Sequence, residues 1–80
     1  MIYDNRWHPT AEAAAAFARR LTRANQDVRY VIESWSPAGH TKFCVDRNDR
    51  TRAWERVLGV YESGRLVWRK EGSRTARGLA

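Results

Sequence analysis

The spacing of apolar positions along the chain changes once, from a helical period to an alternation typical of strands. Between residues 11 and 24, apolar residues recur every three or four positions in an alanine-rich segment, which predicts one amphipathic helix. Thr10 precedes this segment and is a suitable N-cap, and Asn25-Gln26-Asp27 is expected to end the helix. The stripe expected to face the core consists of Ala14, Phe17, Ala18, Leu21 and Ala24.

Downstream of the helix, the alternation predicts two hairpins. The first pairs residues 27–35 with 41–46 across the turn Ser36-Pro37-Ala38-Gly39. The second spans 56–70, with Ser63-Gly64 as a two-residue loop, because Gly supplies the positive φ that a tight hairpin needs. The loop predicts a register in which Glu62 faces Arg65, Tyr61 faces Leu66, Val60 faces Val67 and Gly59 faces Trp68.

These elements predict an α+β fold, in which one N-terminal helix packs on an antiparallel sheet of four strands formed by two consecutive hairpins. Successive strands are expected to be neighbours, and an N-terminal edge strand at Ile2-Tyr3 would add a fifth. The helix covers one face of the sheet, and the other face is left to solvent or to a partner. Residues 1–70 are expected to form a single domain, followed by a flexible basic tail over 71–80, which has no apolar period.

The size and composition of the chain narrow the class of protein. With 80 residues, one small domain can bury about 60% of its unfolded surface, so we expect most of the four tryptophans to fill a thin core. The single cysteine excludes an intrachain disulfide, and with only two histidines we expect no metal site and no cofactor. No apolar run approaches the length of a membrane span, and the N-terminal sequence does not resemble a signal peptide. We therefore expect a cytoplasmic protein that does not enter a membrane, located in the host cytoplasm if the gene is carried by a phage.

The charge balance predicts an acidic partner. The net charge is +6, and thirteen of the fifteen basic residues are arginines, whose side chains make bidentate bonds to carboxylate and phosphate. Charge alone does not separate a protein or ribonucleoprotein partner from nucleic acid bound directly, and arginine excess also accompanies a GC-rich genome. Basic residues cluster with tryptophan in two stretches of the chain. The predicted partner-binding residues are Arg47, Arg50, Arg52, Trp54, Arg56, Trp68, Arg69 and Lys70.

No set of residues in the sequence predicts catalysis. The acidic residues are scattered singly, and Cys44, in the middle of a strand, is typical of a small buried side chain. His40, in the segment GHTKF, is the one candidate general acid or base. This segment resembles the Gly-Ser-His segment of HicA-type toxin ribonucleases, although the Ser is missing and the tail offers no counterpart to the C-terminal helix of that fold. The resemblance keeps a ribonuclease toxin using His40 as an alternative, while the expectation is a protein that is not an enzyme.

The order of elements as a whole resembles that of the small phage and mobile-element proteins called anti-CRISPRs. The resemblance rests on the alanine-rich helix AEAAAAFARRL, a short antiparallel sheet and the closing hairpin VYESGRLVWRKEG. It implies a non-catalytic inhibitor that binds a type I Cascade effector complex and blocks target-DNA recognition. Because this chain is basic, we expect contacts with acidic protein surface, or with protein and nucleic acid together, rather than mimicry of DNA. The alternatives are a small basic protein that binds DNA or RNA directly, and the toxin described above.

Overall fold

The structure is a computed structural model that describes residues 7–35, 41–46 and 56–80. The predicted α+β class is confirmed: one main helix packs on an antiparallel sheet, which has five strands rather than four. In chain order, the described elements are β1 (Trp7–His8), α1 (Ala11–Asn25), β2 (Val28–Trp35), β3 (Thr41–Asp46), β4 (Val57–Glu62), β5 (Arg65–Arg69) and α2 (Arg74–Arg77).

The five strands lie in the order β1-β3-β2-β4-β5, and every neighbouring pair is antiparallel. The strand pairs of both predicted hairpins are present, as β2–β3 and β4–β5, while the turn predicted at 36–39 lies outside the described residues. The prediction that successive strands are neighbours throughout is wrong, because β4 pairs with β2 instead of β3. Strand β2 carries apolar side chains on both faces, with Val31 in one apolar cluster and Ile32 in another, as expected of a central strand. The fifth strand is Trp7–His8, and the predicted edge strand Ile2-Tyr3 lies outside the described residues.

Helix α1 begins and ends as its sequence predicts, but a different stripe faces the sheet. The Thr10 hydroxyl oxygen accepts a hydrogen bond from the Ala13 amide at 3.1 Å, and Gln26 ends the helix in the left-handed conformation. Phe17, predicted to face the core, packs against it but is only half-buried, Leu21 is also half-buried, and Ala24 is exposed. Small side chains lie against the sheet instead, which brings the helix backbone close to the strands. The buried positions are Ala11, Ala14, Ala15, Ala18 and Thr22.

The C-terminal segment packs on the sheet beside α1, so the prediction of a flexible tail is corrected. Ser73 caps the short helix α2 by accepting a hydrogen bond from the Ala76 amide at 3.1 Å, and the side chains of Ala76 and Leu79 are buried in the main core. Five strands spaced about 4.8 Å apart span about 19 Å, whereas one helix is about 10 Å wide. A single alanine-faced helix therefore leaves part of the sheet uncovered, and the segment around Leu79 covers the part over β4.

The β4–β5 hairpin follows the predicted register next to its turn and departs from it further along. Glu62 pairs with Arg65 and Tyr61 with Leu66, as predicted, but Val60 pairs with Trp68 and Gly59 with Arg69. Val67 is therefore an extra residue, a β-bulge. The bulge places Trp68 on the same face of the sheet as Val60, whereas the regular register would have placed it on the face of Leu66.

The face opposite the helices is not left to solvent at its centre, contrary to the prediction. Ile32, Val57 and Val60 are buried there in a second apolar cluster. Partly buried residues packed against this cluster are Val28, Tyr30 and Cys44. Both faces of the sheet therefore carry apolar packing.

The turn between β4 and β5 is held against the end of α1. Ser63 and Gly64 have φ values of 49° and 86°, the positive values of a type I′ turn. The Gly64 amide donates to the Thr22 hydroxyl at 2.9 Å, and the Ser63 amide donates to the carbonyl oxygen of Asp27 at 3.1 Å. Two hydrogen bonds thus join the turn to the segment where the helix passes into β2.

Substituting Ser63 tests the turn geometry. Asn tolerates a positive φ better than Ser, so we expect Ser63→Asn to raise the free energy of unfolding by about 0.5 kcal/mol. Ser63→Ala is the matched control, because it removes the hydroxyl without favouring a positive φ, and it should lower the free energy of unfolding. Urea titration measures both. Equal stability of the two variants would contradict the interpretation that the positive φ of Ser63 is unfavourable for a serine.

Gly59 leaves the space that Leu79 occupies. A methyl group at Gly59 would lie 2.6 Å from Leu79 Cδ1 and 3.2 Å from Leu66 Cδ1. Real side-chain carbons do not approach this closely, so the missing side chain lets the C-terminal segment contact β4. The predicted pairing of Gly59 with Trp68 would have placed the indole beside Gly59, whereas Leu79 and Leu66 lie over it.

A double-mutant cycle tests this contact. We expect Gly59→Ala to destabilise the protein by about 1 kcal/mol or more through overpacking, and Leu79→Ala to cost about 2 kcal/mol or more through the lost side chain. In the Leu79→Ala background, Gly59→Ala should cost clearly less, because the closest colliding atom is gone and only the tight contact with Leu66 Cδ1 remains. Urea denaturation of the four proteins gives the coupling free energy. Additive effects would show that Leu79 does not pack on Gly59.

Candidate partner-binding surface

The structure describes half of the predicted partner-binding residues. Arg47, Arg50, Arg52 and Trp54 lie outside the described residues, as does the candidate catalytic residue His40. The other four, Arg56, Trp68, Arg69 and Lys70, are described, and three of these belong to strand β5 or follow it directly. The predicted residues that the structure describes therefore lie mainly at the β5 edge of the sheet.

Strand β5 exposes apolar and basic side chains at the edge of the sheet. It is the last strand in the sheet order, and 53% of Val67 and 42% of Trp68 are exposed. Arg65 and Arg69, near the two ends of the strand, are also exposed. We call Arg65, Val67, Trp68 and Arg69 the β5 surface. Arg65 and Val67 are not among the residues predicted from the sequence, because their exposure depends on the edge position of β5 and, for Val67, on the bulge, which no local pattern signals.

Two of the predicted residues flank this surface. Arg56 is exposed and lies directly before β4. Lys70 is half-buried, and its backbone amide donates a hydrogen bond to the carbonyl oxygen of Leu58 at 2.9 Å, so the pairing of the hairpin extends one residue beyond β5. Lys70 is therefore fixed in position at the end of the β5 surface.

Arg69 also makes a contact within the fold. Its Nη1 donates to the carbonyl oxygen of Leu79 at 3.4 Å. Beside it, the Tyr61 hydroxyl donates to the backbone oxygen of Ala80 at 3.0 Å, and Arg19 Nη2 donates to the same oxygen. Two guanidinium groups and a phenol thus hold the backbone oxygens of the C-terminal segment. Arg69 contributes to this packing as well as to the charge of the β5 surface.

Another arginine is buried in an ion pair and is not part of any surface. Arg29 is 5% exposed, and its Nε and Nη2 both donate to Asp27 Oδ2, at 3.0 and 2.9 Å. A buried guanidinium needs such a partner because burial removes it from water. Arg29 thus adds to the count of basic residues without adding to the accessible positive surface.

Two of the four tryptophans, Trp7 and Trp68, do not fill the core as expected. Trp7 is 53% exposed and Trp68 is 42% exposed, and they belong to strands at opposite edges of the sheet. Alanine, valine and leucine side chains fill the main core instead, together with Phe43 and Tyr61. Exposed indoles at both edges indicate contact surfaces, since tryptophan combines a large apolar area with one hydrogen-bond donor.

The described residues do not assemble a metal site, and Cys44 is part of the apolar packing. Within 7–35, 41–46 and 56–80, there is no group of three or more His, Cys, Asp or Glu side chains placed to hold a metal ion. Cys44 is half-buried and packs against the second apolar cluster. Its position agrees with the expected role of a small apolar side chain.

The phenol of Tyr61 should give the stability an alkaline pH dependence. Burial raises the pKa of Tyr61 above its ordinary value and outweighs the opposing charge and hydrogen bond of Arg19 and the charge of Arg69. At a pH between the unfolded and the folded pKa, Tyr61 therefore stays protonated in the folded state while the unfolded chain has lost the proton. The contribution of this raised pKa to the free energy of unfolding is complete below pH ~10 and is lost as the pH rises through the folded pKa.

Tyr61→Phe removes both the hydrogen bond and the titrating group. At neutral pH we expect it to lower the free energy of unfolding by about 1 kcal/mol. Above pH ~10 the difference from the wild type should narrow, because only the wild type still has Tyr61 to ionise on unfolding. Urea titrations at neutral and alkaline pH measure the difference. A difference that widens with pH would contradict the direction of the pKa shift.

Comparison with known proteins identifies no relative of this chain. No protein-family model, curated protein or solved structure matches this chain. In the described part of the chain, neither α1 nor α2 combines the length and the apolar character that crossing a bilayer requires.

Proposed function

We propose that this protein is a non-catalytic anti-CRISPR inhibitor that binds a type I Cascade effector complex through its β5 surface and thereby blocks target-DNA recognition. The observation that carries the binding role is the exposed apolar pair Val67 and Trp68, placed between Arg65 and Arg69 at the edge of the sheet. The choice of partner comes from the architectural resemblance of the alanine-rich helix, short sheet and closing hairpin to anti-CRISPR proteins.

The composition of the β5 surface supports a protein interface. Tryptophan and arginine are enriched among the residues that dominate binding energy, and such residues commonly lie at the centre of an interface. Trp68 and Arg65 lie on the same face of the sheet, since they pair with Val60 and Glu62. Arg69 pairs with Gly59 and lies on the other face of the same edge strand. An acidic protein surface complements them, since the arginines pair with carboxylates while the indole packs on apolar groups.

The arginines favour an acidic partner over a second copy of this chain. If two β5 strands paired antiparallel about Val67, Arg65 of each copy would lie opposite Arg69 of the other. Like charges directly opposite each other destabilise a strand pair, and charged edges are a common protection against sheet-to-sheet association. A strand or surface that presents carboxylates meets no such repulsion.

Direct binding of DNA or RNA is the second candidate, and one observation favours it. Exposed arginines extend beyond β5 to both helices, at Arg20, Arg23, Arg74 and Arg77. A spread of positive charge of this kind attracts phosphate backbones without specifying a sequence. The ribonuclease-toxin alternative depends on His40, which lies outside the described residues.

Substitution of Trp68 tests the β5 surface. The purified protein is added to a purified type I effector complex, and binding of the target duplex to that complex is titrated. We expect the wild-type protein to reduce duplex binding and Trp68→Ala to weaken its affinity for the complex by about 30-fold, the loss expected at an interface hot spot. Arg65→Glu should weaken it further, because it reverses a charge that faces the acidic partner.

Trp7→Ala is the matched control, because Trp7 is a similarly exposed tryptophan on the opposite edge of the sheet, and it should inhibit like the wild type. Thermal unfolding establishes that the variants are folded. The proposed partner is wrong if the wild-type protein neither co-elutes with type I complexes nor alters their duplex binding. Tight binding to free DNA or RNA at physiological salt, without such inhibition, would favour the second candidate. Equal loss in both tryptophan variants would remove the β5 surface from the interface.

A further inference from the structure

A cleft at the other edge of the sheet has a composition different from that of the β5 surface. It has a volume of about 340 Å³ and is lined by Trp7, His8, Pro9, Thr41 and Lys42. These residues lie where the chain leaves β1 to begin α1 and where β3 begins. A volume of this size is at the lower end of the range for small-ligand sites, about 300–1,000 Å³. The cleft is therefore on the scale of one small planar group with its substituents.

The register of the sheet places an indole and an ammonium group on the same face. Trp7 pairs with Cys44, and Lys42 lies two residues from Cys44 along β3. Trp7 and Lys42 are thus diagonal cross-strand neighbours, about 7–8 Å apart and within reach of long side chains. Both are exposed, and 53% of Trp7 is accessible. A ligand can therefore contact the ring and the cation at the same time.

The cleft is held in place by packing against α1. The imidazole of His8 lies against the ring of Phe17, with ring centroids 5.3 Å apart and ring planes tilted by 44°. His8 also pairs with Phe43, and Thr10 caps the helix two residues later. The backbone on either side of Trp7 is thereby fixed to both the sheet and the helix. Little ordering is then needed when a ligand binds, which favours affinity.

We propose that this cleft binds single-stranded nucleic acid, with one base stacked on Trp7 and an adjacent phosphate held by Lys42. Stacking on an exposed indole tolerates any base, because every base has a π-face, and a lysine ammonium binds phosphate as a point charge. The hydroxyl group of Thr41 supplies a hydrogen-bond donor or acceptor at the rim of the cleft. The site is independent of the proposed function, since the β5 surface lies at the opposite edge of the sheet.

The chemistry of the lining disfavours other ligands. None of its five residues is acidic, so the cleft does not attract a metal ion or an organic cation. An apolar peptide would offer no negatively charged group to the ammonium of Lys42. The net charge of +6 attracts a polyanion from a distance and favours a strand over a single nucleotide.

The test measures the affinity of the full-length protein for a short fluorescent oligothymidine strand by anisotropy, over a series of salt concentrations. We expect Trp7→Ala to weaken binding by about 5- to 150-fold, the range for loss of one stacked base, and Trp7→Phe to retain part of the affinity. Lys42→Ala should reduce the slope of log affinity against log salt by about 0.7, which corresponds to one phosphate contact on a single strand. The wild-type tryptophan fluorescence should be quenched by the unlabelled strand more than that of Trp7→Phe, a readout that does not depend on the alanine variant.

Two matched variants separate the site from general charge and general stacking. Trp68→Ala removes an exposed tryptophan at the other edge, and Arg20→Ala removes one positive charge from α1 away from the cleft. Trp68→Ala should bind the strand with nearly the affinity of the wild type, and Arg20→Ala should lower the salt slope by less than Lys42→Ala does. Thymidine monophosphate, added as a competitor, should displace the strand only weakly if a strand is the ligand, and strong displacement would identify a single-nucleotide site instead.

Several results would overturn the proposal. Absence of strand binding at low salt would do so, as would a Trp7→Ala variant with wild-type affinity and wild-type quenching. Equal effects of Arg20→Ala and Lys42→Ala, with no effect of Trp7→Ala, would assign binding to net charge alone. Inhibition of an effector complex is measured separately through Trp68, so either proposal can fail while the other holds.

Discussion

The structure depends on the small side chains with which α1 faces the sheet. Ala11, Ala14, Ala15 and Ala18 let the helix lie close to the strands, but they bury little apolar area each and cover only a narrow strip. The larger buried side chains of the main core, Tyr61, Leu58 and Val31, come from the sheet. A close, narrow helix on a five-stranded sheet requires a second covering element. The C-terminal segment meets that need with Leu79, which in turn requires that β4 have no side chain at Gly59.

Much of what local chemistry controls could be predicted from the sequence. Thr10 caps α1, Ser63-Gly64 forms the hairpin turn, and the two pairs nearest that turn follow from its length. Each depends on residues close together in the chain, where side-chain type restricts the backbone. The α+β class follows too, because a helical period and a strand alternation occupy separate parts of the sequence.

What could not be predicted depends on contacts between distant residues. The pairing of β4 with β2 is decided by which strand can be buried on both faces, and the alternation within each strand does not reveal its neighbours. The bulge at Val67 has no glycine or other local signal, yet it moves Trp68 to the other face of the sheet. Residues 71–80 lack an apolar period because a four-residue helix is too short to show one, so the burial of Leu79 left no pattern to read. For the candidate site, the clustering of arginine and tryptophan in the sequence indicated the β5 edge. The exposure of Arg65 depends on the edge position of the strand, and that of Val67 depends also on the bulge.

The distribution of the arginines limits what net charge says about function. Arg29 is neutralised by Asp27 inside the fold, and Arg19 and Arg69 hold backbone oxygens of the C-terminal segment. These residues contribute to the formal charge, yet the fold itself explains their presence. The net charge therefore overestimates the positively charged surface that a partner can reach. The exposed indoles indicate contact surfaces more specifically than the net charge does. Trp7 and Trp68 lie at opposite edges of one sheet, each beside basic side chains, and burial in the core does not account for either. The two edges carry different neighbouring side chains, so each edge complements a ligand of its own chemistry and neither contact requires the other.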